Sequence, residues 1–382
     1  MDPHFLHPTH AEVDLSAFLK NLSVVRSLVN SRVQVLAVVK ANAYGHGLVE
    51  IARVAEQNGV NYLGVARAIE GIELRRSGIN CPILVFEVTP REHVEASLSN
   101  QLELTAVSVE DAECIASIAT MTGIDARVHV KVDTGMGRLG IRWDSASVDL
   151  PTIALMRGIT LSGIYSHFAT AEFPDQSFAN EQLARFQGIL GELEKLKIPI
   201  PLRHMANSGA VLALPESHFD MVRPGIMLYG YAPRNGMPVS ASLIPVMRLV
   251  TRVTFLKSIA PGTSVSYGRR YVAQHSTHIA TIPIGYADGY SRLLTNKGQV
   301  IIRGKRYRIA GSVCMDNCMI DLGAETEVKE GDLVTVIGRD GDEQISAWDV
   351  AEWIGTIPYE VMCQVMARVP RSYSTAPDSH GT

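Results

Sequence analysis

A lysine, a tyrosine and two glycines follow an apolar run in the stretch AVVKANAYGHG, residues 37–47. The run predicts a buried strand, so Lys40 at its end is expected to be partly withheld from water. Burial lowers the pKa of an amine and frees its lone pair to attack a carbonyl, as a Schiff-base lysine requires. A lysine that extends from a strand end into solvent gives the same pattern. Lys40 alone leaves both interpretations open.

Other polar side chains also stand where apolar runs end. A protein interior has no packing use for these residue types, so their repeated placement at strand ends indicates a functional site. The residues are Lys131, Asp133, His167, Asn207, Ser208 and Arg223.

Two glycine-containing loops are suited to an anion. NSGA (207–210) stands at a predicted strand-to-helix turn, and RPGI (223–226) supplies another tight turn with backbone N–H groups. Loops of this kind and helix N-termini bind phosphate in proteins. An amine for a carbonyl and a cradle for a phosphate together fit pyridoxal 5′-phosphate (PLP), which carries an aldehyde and a phosphate.

Arg138 lies in GMGRLG (135–140), which matches the pattern G-x-G-x-x-G literally. Dinucleotide binding also requires an acidic residue at the end of the next strand, about 20 residues on. The next predicted strand, LSGIYSHF (161–168), contains no acidic residue. We therefore interpret the glycines as allowing the loop to bend and to direct Arg138 inward.

The elements that must position these residues alternate along the chain. Eight β-rich runs are separated by segments of helical character, such as 108–123, which Ser108 would cap. Continuous apolar strands that are each followed by a helix indicate an α/β protein with a parallel sheet, and eight such units match a (β/α)8 TIM-type barrel. A doubly wound sheet is the alternative, although it usually has fewer repeats. The runs are 33–40, 61–66, 82–86, 102–107, 127–134, 161–168, 202–208 and 221–230.

The character of the sequence changes near Ser242. Strand-like runs separated by glycine-containing turns follow, with no helical segment until SAWDVAEWIG (346–355). This pattern indicates a mainly antiparallel second domain. We therefore predict a barrel over residues 12–241 and a C-terminal β domain over residues 242–382.

Composition and charge exclude several classes of protein. The chain has 382 residues, of which 46% are hydrophobic, and a net charge of −4 without blocks of like charge. The length exceeds what one core usually holds, and neither nucleic acid nor a membrane is an expected partner. We expect neither a secretory signal nor a membrane-spanning segment. The five scattered cysteines indicate reduced thiols in a cytoplasmic protein.

No metal site is expected. Cys314 and Cys318 form a C-x3-C pair without a second pair, which is a weak signal for zinc. The N-terminal histidines His4, His7 and His10 are interspersed with prolines that oppose a helix able to align them.

Nine sequence blocks, taken together and in order, resemble the bacterial alanine racemases, which are PLP enzymes of fold type III. The resemblance covers nearly the whole chain, and the combination is far more specific than any single motif. It implies a racemase that interconverts L-alanine and D-alanine, supplies D-alanine for peptidoglycan and works as a homodimer whose active sites are shared between subunits. The blocks are AVVKANAYGHG, KVDTGMGRLG, SHFATAE, HMANSGA, RPGIMLYG, VSYG, IPIGYADG, CMD and TIPYE.

The resemblance implies the catalytic roles. Lys40 would hold PLP covalently and act as one acid/base, and Tyr267, in VSYG, would act as the other from the partner subunit, on the opposite face of the substrate. Arg223 would face the pyridine nitrogen, and His167 would join Arg223 and Tyr267 in a hydrogen-bonded chain. A permanent cation at that nitrogen opposes ring protonation and so discourages transamination.

The resemblance also implies the binding roles. Arg138 and the backbone of Met315 would receive the substrate carboxylate, and Tyr286 would line the substrate entry from the partner subunit. The lysine that matches Lys131 is often carbamylated in the family and steadies the arginine that matches Arg138. Residues 1–11 would pack with the second domain. The cofactor would further be bound by Tyr44, Asn207, Ser208 and Tyr359 and by the backbone N–H groups of Gly225 and Ile226.

Three other functions stay open. A racemase of serine or of a broader set is one, because a pocket rejects a single extra group only weakly. Fold-type III PLP decarboxylases carry a Cys-Glu-Ser type block where this chain has SVCMDNC, and favour a carboxylate where it has Arg223. PLP-binding proteins without enzymatic activity are single barrels without a β domain.

The chain also departs from the family at Pro358, which precedes Tyr359 where many relatives have Asn.

Overall fold

A computed structural model describes residues 7–238 and 242–375. The chain divides into two compact units. The barrel unit combines Leu19–Ala43 with Leu48–Leu243, and the β unit combines the segment that ends at Phe18 with Tyr44–Gly47 and the chain from Ile244 onward. The prediction for His4 lies outside the described residues.

The first part of the chain alternates strands and helices, as the apolar runs predict. Its strands are β1 (His10–Asp14), β2 (Gln34–Val38), β3 (Tyr62–Val65), β4 (Ile83–Val85), β5 (Leu104–Ala106), β6 (Ala126–Asp133), β7 (Ile141–Arg142), β8 (Ile159–Tyr165), β9 (Leu202–His204) and β10 (Met221–Val222). Its helices are α1 (Leu15–Leu28), α2 (Leu48–Gln57), α3 (Ala68–Arg76), α4 (Arg91–Ser99), α5 (Val109–Thr122), α6 (Ala146–Ala154), α7 (Ser177–Lys195) and α8 (Ser208–Ala213).

Parallel strands close into a barrel. Strands pair in the orders β10-β2-β3-β4 and β5-β6-β8-β9, and every pair along these two paths is parallel. The two paths are joined at one side by the Val85 N–H, which donates to the Glu103 carbonyl at 2.9 Å, and at the other by the Asp220 N–H, which donates to the Arg203 carbonyl at 3.0 Å. This closed arrangement confirms the prediction of a (β/α)8 barrel.

The second part of the chain is mainly antiparallel, as predicted. Its strands follow the order β12-β15-β18-β17-β16-β19-β11-β1-β21, in which only the β1–β21 pair is parallel among the described residues. These elements are β11 (Met247–Arg252), β12 (Phe255–Ile259), β13 (Ser264–Val265), β14 (Tyr271–Val272), β15 (Thr277–Ile282), β16 (Gln299–Ile302), β17 (Lys305–Ile309), β18 (Cys318–Gly323), β19 (Leu333–Asp340), β20 (Glu343–Ile345), β21 (Arg371–Ser374) and the helices α9 (Ala347–Ile354) and α10 (Pro358–Cys363).

Burial differs between the two kinds of strand. Every residue of β3, β4 and β5 is buried, because helices cover the outside of a parallel barrel and side chains fill its inside. Residues of β18 alternate between buried and partly exposed, as expected of a sheet with one solvated face. The two hydrophobic patterns in the sequence therefore have different physical causes.

The predicted strand over 221–230 was wrong beyond Val222. Pro224 has no N–H to donate to a neighbouring strand, and after Gly225 the chain forms a 3-10 turn over Ile226–Tyr229. The strand is thereby cut short, and Arg223 stands immediately after its last residue.

Neither a membrane span nor a metal cluster is found where the structure describes the chain. No helix in the described ranges has both the length and the apolar character to cross a membrane. The same ranges contain no group of three or more His, Cys, Asp or Glu side chains able to hold a metal ion.

Candidate active site

Lys40 begins a left-handed turn that directly follows strand β2. Ala41, Asn42, Ala43 and Tyr44 all have φ between 50° and 54°, a conformation that side-chain-bearing residues rarely adopt. Lys40 itself is half-buried, whereas Val39 before it is buried. The strand and this turn together fix the position from which the Lys40 side chain extends.

Hydrogen bonds hold the left-handed turn in place. The Ala41 N–H donates to the Glu70 carboxylate at 2.7 Å, and the Ala43 N–H donates to the Val39 carbonyl at 2.8 Å. The Asn42 side chain accepts from the Leu48 N–H at 2.8 Å, which ties the turn to the start of helix α2. Such over-determination is what allows a strained backbone to persist at a functional site.

Several cations collect near Lys131, which lies on β6 and is buried. Burial and, after it, the charges of Arg138, Arg223 and Lys40 together lower the pKa of the Lys131 amine to about 8, against the opposing charge of Glu87. Arg138 is itself exposed in its glycine-containing loop. This end of the barrel unit therefore carries an excess of positive charge, which suits an anionic ligand.

Arg223 is 3% exposed and is surrounded by acceptors. Its Nη2 donates to the carbonyls of Ser166 at 2.6 Å and Met205 at 3.0 Å, and its Nη1 donates to His204 Nδ1 at 3.0 Å. Its guanidinium lies 5.2 Å from the ring centroid of Tyr165. Burial lowers the pKa of Arg223 to about 10, so the side chain is still a cation at neutral pH.

His167 is brought against Arg223, as the resemblance implies. Arg223 Nη2 donates to His167 Nδ1 at 3.2 Å. Burial holds the pKa of His167 well below its usual range, and the positive charges of Arg223 and Arg138 add to this effect. The imidazole is therefore neutral at physiological pH and acts as an acceptor toward the guanidinium.

Ser208 and the loop after β10 meet in the barrel unit. Asn207 caps helix α8, since its side chain accepts from the Ala210 N–H at 3.1 Å. The buried Ser208 hydroxyl accepts from the Gly225 N–H at 2.8 Å, which places Ile226 in the same cluster. In accepting that bond the hydroxyl keeps its own proton, which it can donate to a ligand oxygen.

Tyr44 and Tyr359 meet in the β unit, with ring centroids 5.9 Å apart. Burial raises the pKa of the Tyr44 phenol, and the neighbouring Tyr359 and Cys363 raise it further, so Tyr44 stays protonated. Pro358 occupies the first turn of helix α10, where its missing N–H costs nothing. The departure from the family pattern at Pro358 is accommodated in this way.

Tyr267, Tyr286 and Met315 are gathered around the loop over residues 311–317 of the β unit. The Tyr286 N–H donates to the Cys314 carbonyl at 3.0 Å, and a Cβ at Gly285 would lie 2.2 Å from the Met315 carbonyl oxygen, so only glycine fits there. The three side chains are exposed, by 75%, 42% and 53% respectively.

Ser266 and Ser312 fix the backbone of Tyr267. Ser266 has φ 68° and ψ 176°, a region that is otherwise almost confined to glycine. Its hydroxyl donates to the Ser312 carbonyl at 2.7 Å, and the Ser312 hydroxyl donates to the Tyr267 carbonyl at 2.9 Å. Sequence reasoning missed both serines, because no pattern of residue types signals a strained backbone.

Sequence reasoning also missed three buried polar residues behind Arg223, namely Glu103, His129 and His204. One signal was available for His129. It stands two residues before Lys131 on the same strand, and side chains two residues apart on a strand share a face. Glu103 and His204 gave no such signal, because no predicted site residue stands two positions from either of them.

Two family models match successive parts of the chain. The model of the alanine racemase N-terminal domain matches residues 13–233, and the model of the alanine racemase C-terminal domain matches residues 246–373. The alanine racemase of Methanococcus maripaludis is 44% identical over 369 residues, which cover 96% of this chain and 99% of that protein.

Solved structures show the same similarity. The alanine racemase of Clostridium difficile 630 is 37% identical and superposes with a TM-score of 0.91 over 96% of both chains. The alanine racemase of Bacillus anthracis with bound L-Ala-P is 37% identical, with a TM-score of 0.91 over 96% of this chain and 95% of that one. Fold and sequence agree, and the chain belongs to the alanine racemase family.

Proposed function

We propose that this racemase interconverts L-alanine and D-alanine with PLP as cofactor, using Lys40 and Tyr267 as two bases. The observation that carries the proposal is the placement of Lys40 two residues after strand β2, in a unit whose rim holds an excess of positive charge around the buried Arg223. The structural relative from Bacillus anthracis, described with bound L-Ala-P, supports an alanine-like substrate.

The donors of the barrel unit fit PLP. Lys40 supplies an amine, Arg223 a buried cation with a fixed plane, and Ser208 a buried hydroxyl beside the loop of Gly225 and Ile226. These groups match in turn the aldehyde, the ring nitrogen and the phosphate of PLP, with Asn207 holding Ser208 at the helix start. The resemblance to the alanine racemases further assigns Tyr44 and Tyr359 to the phosphate. When bound, PLP withdraws electrons from the α-carbon and weakens its C–H bond.

Two bases serve racemisation better than one. A single base would have to carry the proton from one face of the α-carbon to the other, whereas two bases need little movement. We assign the Lys40 amine to one face and the Tyr267 phenol to the other. Each accepts a proton in one direction of the reaction and donates one in the reverse direction.

Arg223 is assigned to suppress transamination as a side reaction. A guanidinium keeps its protons at physiological pH and donates a hydrogen bond without transferring a proton, so it would not protonate the nitrogen it faces. The neutral His167 accepts from Arg223 and keeps that cation in place. We infer that this arrangement discourages transamination.

Arg138, Met315 and Tyr286 are assigned to the substrate. Arg138 and the backbone of Met315 receive the carboxylate, and Tyr286 lines the entry. We further propose that Lys131 is carbamylated. Its pKa of about 8 leaves more neutral amine for CO2 at pH 7 than an ordinary lysine has, and the resulting anion would steady Arg138.

We propose a homodimer in which Tyr267 and Tyr286 serve the partner subunit. Their exposure supports this, because a catalytic phenol needs a shielded surrounding that a single chain does not give to Tyr267. The product D-alanine would be used in peptidoglycan synthesis.

The deciding experiment is to incubate the purified, PLP-loaded protein with each L-amino acid and to separate the products by chirality. D-alanine should form fastest. Faster production of D-serine, or of many D-amino acids at similar rates, would replace alanine as the assigned substrate. Release of carbon dioxide from a basic amino acid, or no turnover of any substrate, would overturn the proposal.

A further inference from the structure

A continuous line of buried polar side chains runs from Arg223 through the interior of the barrel unit. Arg223 Nη1 lies 3.0 Å from His204 Nδ1, His204 Nε2 lies 2.9 Å from His129 Nδ1, and His129 Nε2 lies 2.8 Å from Glu103 Oε2. All four side chains are buried. We call these four residues the buried chain. At its far end, Glu103 also accepts from the exposed Arg127 at 2.6 Å.

The two ends of the buried chain determine where its protons lie. A guanidinium only donates, so His204 Nδ1 must accept and His204 Nε2 must carry the hydrogen. His204 then donates to His129 Nδ1, which leaves the hydrogen of His129 on Nε2. A carboxylate only accepts, and Glu103 receives that last hydrogen. Both imidazoles are therefore neutral, and every hydrogen bond points from Arg223 toward Glu103.

We propose that Glu103, His129 and His204 are positioning residues that hold the Arg223 guanidinium in one orientation by fixing the direction of this hydrogen-bonded chain. With the chain in this direction, Nη1 always meets an acceptor, and Nη2 is left to the Ser166 and Met205 carbonyls and to His167. The consequence for catalysis rests on the proposed function of Arg223 at the cofactor nitrogen. The direction of the hydrogen bonds in the buried chain does not depend on that function.

The surroundings of the buried chain favour this state. Tyr165 stacks on His204 with ring centroids 4.8 Å apart, and it lies beside the Arg223 guanidinium. Burial holds the pKa of His204 well below its usual range, and the charge of Arg223 contributes to this. A lowered imidazole pKa keeps His204 neutral through the physiological range, and protonation would bring a donor against the guanidinium.

The Glu103 end is kept as an acceptor by its own partners. Burial alone would raise the pKa of Glu103, but the hydrogen bond from His129 and the charge of Arg127 outweigh it and lower the pKa. Tyr62 also faces Glu103 and Arg127, and its own pKa is raised by burial and by Glu103. At neutral pH the end of the chain is therefore a carboxylate that has no hydrogen to donate.

If the acceptor at Glu103 is removed, the buried hydrogen bonds at the His129 end and at the Arg223 end can no longer both be satisfied. In Glu103→Leu, the His129 Nε2–H has no partner in this direction of the chain. In the opposite direction, His204 Nδ1 would carry a hydrogen that faces the Arg223 Nη1–H. Neither state satisfies every buried donor, so both should be populated. Glu103→Gln retains a carbonyl oxygen at the same place and should preserve the original direction.

The direct test is nitrogen-15 NMR of the histidine rings in the full-length protein, measured with PLP bound and after its removal. Wild-type protein should show His129 and His204 as neutral Nε2–H tautomers at neutral pH, with assignments from His129→Gln and His204→Gln. Glu103→Gln should match wild type, and Glu103→Leu should show mixed tautomers at both rings. Arg127→Gln is the matched control, since it removes the other partner of Glu103 and should change neither ring.

A second readout follows Arg223. The ratio of transamination to racemisation should rise about tenfold in Glu103→Leu, with KM for alanine changed less than kcat, and should stay near the wild-type ratio in Glu103→Gln. A role that is only structural would lower both reactions together and would leave this ratio unmoved.

Each outcome separates the inference from the proposed function. A cationic or Nδ1–H His204 in wild type at neutral pH would overturn the inference whatever the enzyme catalyses, and so would identical spectra for Glu103→Leu and wild type. If Glu103→Leu does not fold, the wild-type spectrum still decides. The expected tautomers in a protein that racemises nothing would leave the buried chain intact and remove the proposed function alone.

Discussion

Arg223 and Tyr267, assigned to the cofactor nitrogen and to one face of the substrate, are held in different ways. Arg223 is 3% exposed and donates to four acceptors within the barrel unit. Tyr267 is 75% exposed, and what holds it is its backbone, through the strained Ser266 and the Ser312 hydroxyl. A single chain thus buries the guanidinium of Arg223 but leaves the phenol of Tyr267 exposed to solvent. This contrast is what a site shared between subunits would require.

The largest expected effect concerns the barrel unit. In Lys40→Ala, no cofactor should be trapped covalently by borohydride, because the amine that would bind the aldehyde is gone. Mass spectrometry of the reduced protein measures this, with Lys131→Ala as the control that should keep the trapped adduct. A reducible adduct on another lysine in Lys40→Ala would show that the barrel-unit assignment is wrong.

Tyr267→Phe should reduce racemisation by about 10²–10⁴-fold, the usual contribution of a positioned acid or base. Exchange of the α-hydrogen with deuterated water should persist for one enantiomer only, because Lys40 can still remove the proton from the face of the α-carbon to which it is assigned. Proton NMR of alanine measures both. Equal loss of exchange for both enantiomers would argue against two separate bases.

Mixing subunits tests whether the exposed phenol serves a partner. A dimer of one Lys40→Ala and one Tyr267→Phe subunit would contain one site with both bases if the sites are shared. Unfolded and refolded together, the two inactive variants should recover about a quarter of wild-type activity, because half of the dimers are mixed and half of their sites are intact. No recovery would place both bases of a site in one chain.

A smaller effect is expected from pH and bicarbonate at Lys131. Its pKa of about 8 means that roughly one-tenth of the amine is neutral at pH 7 and about half at pH 8. The neutral amine adds to the carbon of CO2 and releases one proton. Protein depleted of CO2 should lose activity severalfold and regain it with bicarbonate, faster at pH 8 than at pH 7. Carbon-13 NMR with labelled bicarbonate detects the carbamate, and Lys131→Ala should show neither the signal nor the response.

The smallest effect concerns the backbone at Ser266. Ser266→Ala keeps the strained φ and loses the hydrogen bond to Ser312, so it should destabilise the protein by about 1 kcal/mol. Ser266→Gly loses the same bond but relieves strain, and it should be more stable than Ser266→Ala by about 1–2 kcal/mol. Urea denaturation measures both. Equal stabilities would show that the backbone of Ser266 is not under strain.

The sequence predicted the barrel well, for a definite reason. Strands such as β3 and β4 read as continuous apolar runs, since parallel strands are buried on both faces. Residues after such runs, such as Lys40 and Arg223, could therefore be expected at one end of a barrel. The ends of the strands were predicted less well, because Pro224 and Gly225 stop the last strand at Val222.

The parts of the candidate site that lie away from strand ends were beyond sequence reasoning. The buried chain joins residues up to 120 positions apart along the barrel, from Glu103 to Arg223, and nothing local links them. Tyr267 and Met315 were found only through the resemblance to the alanine racemases. Their surroundings depend on close contacts, such as the one at Gly285, that no composition signals.

The left-handed turn after Lys40 limits which sequences this site can tolerate. Each residue with a side chain in that conformation costs about 1–2 kcal/mol, and Asn pays less than most because it bonds locally. Asn42→Gly should be close to neutral, because relief of strain offsets the lost hydrogen bond from the Leu48 N–H. A β-branched residue at Ala41 or Ala43 would make a strained backbone worse. A library built around Lys40 should therefore return Gly, Asn and Ala at these positions and reject Val, Ile and Thr, even though none of the three need touch the substrate.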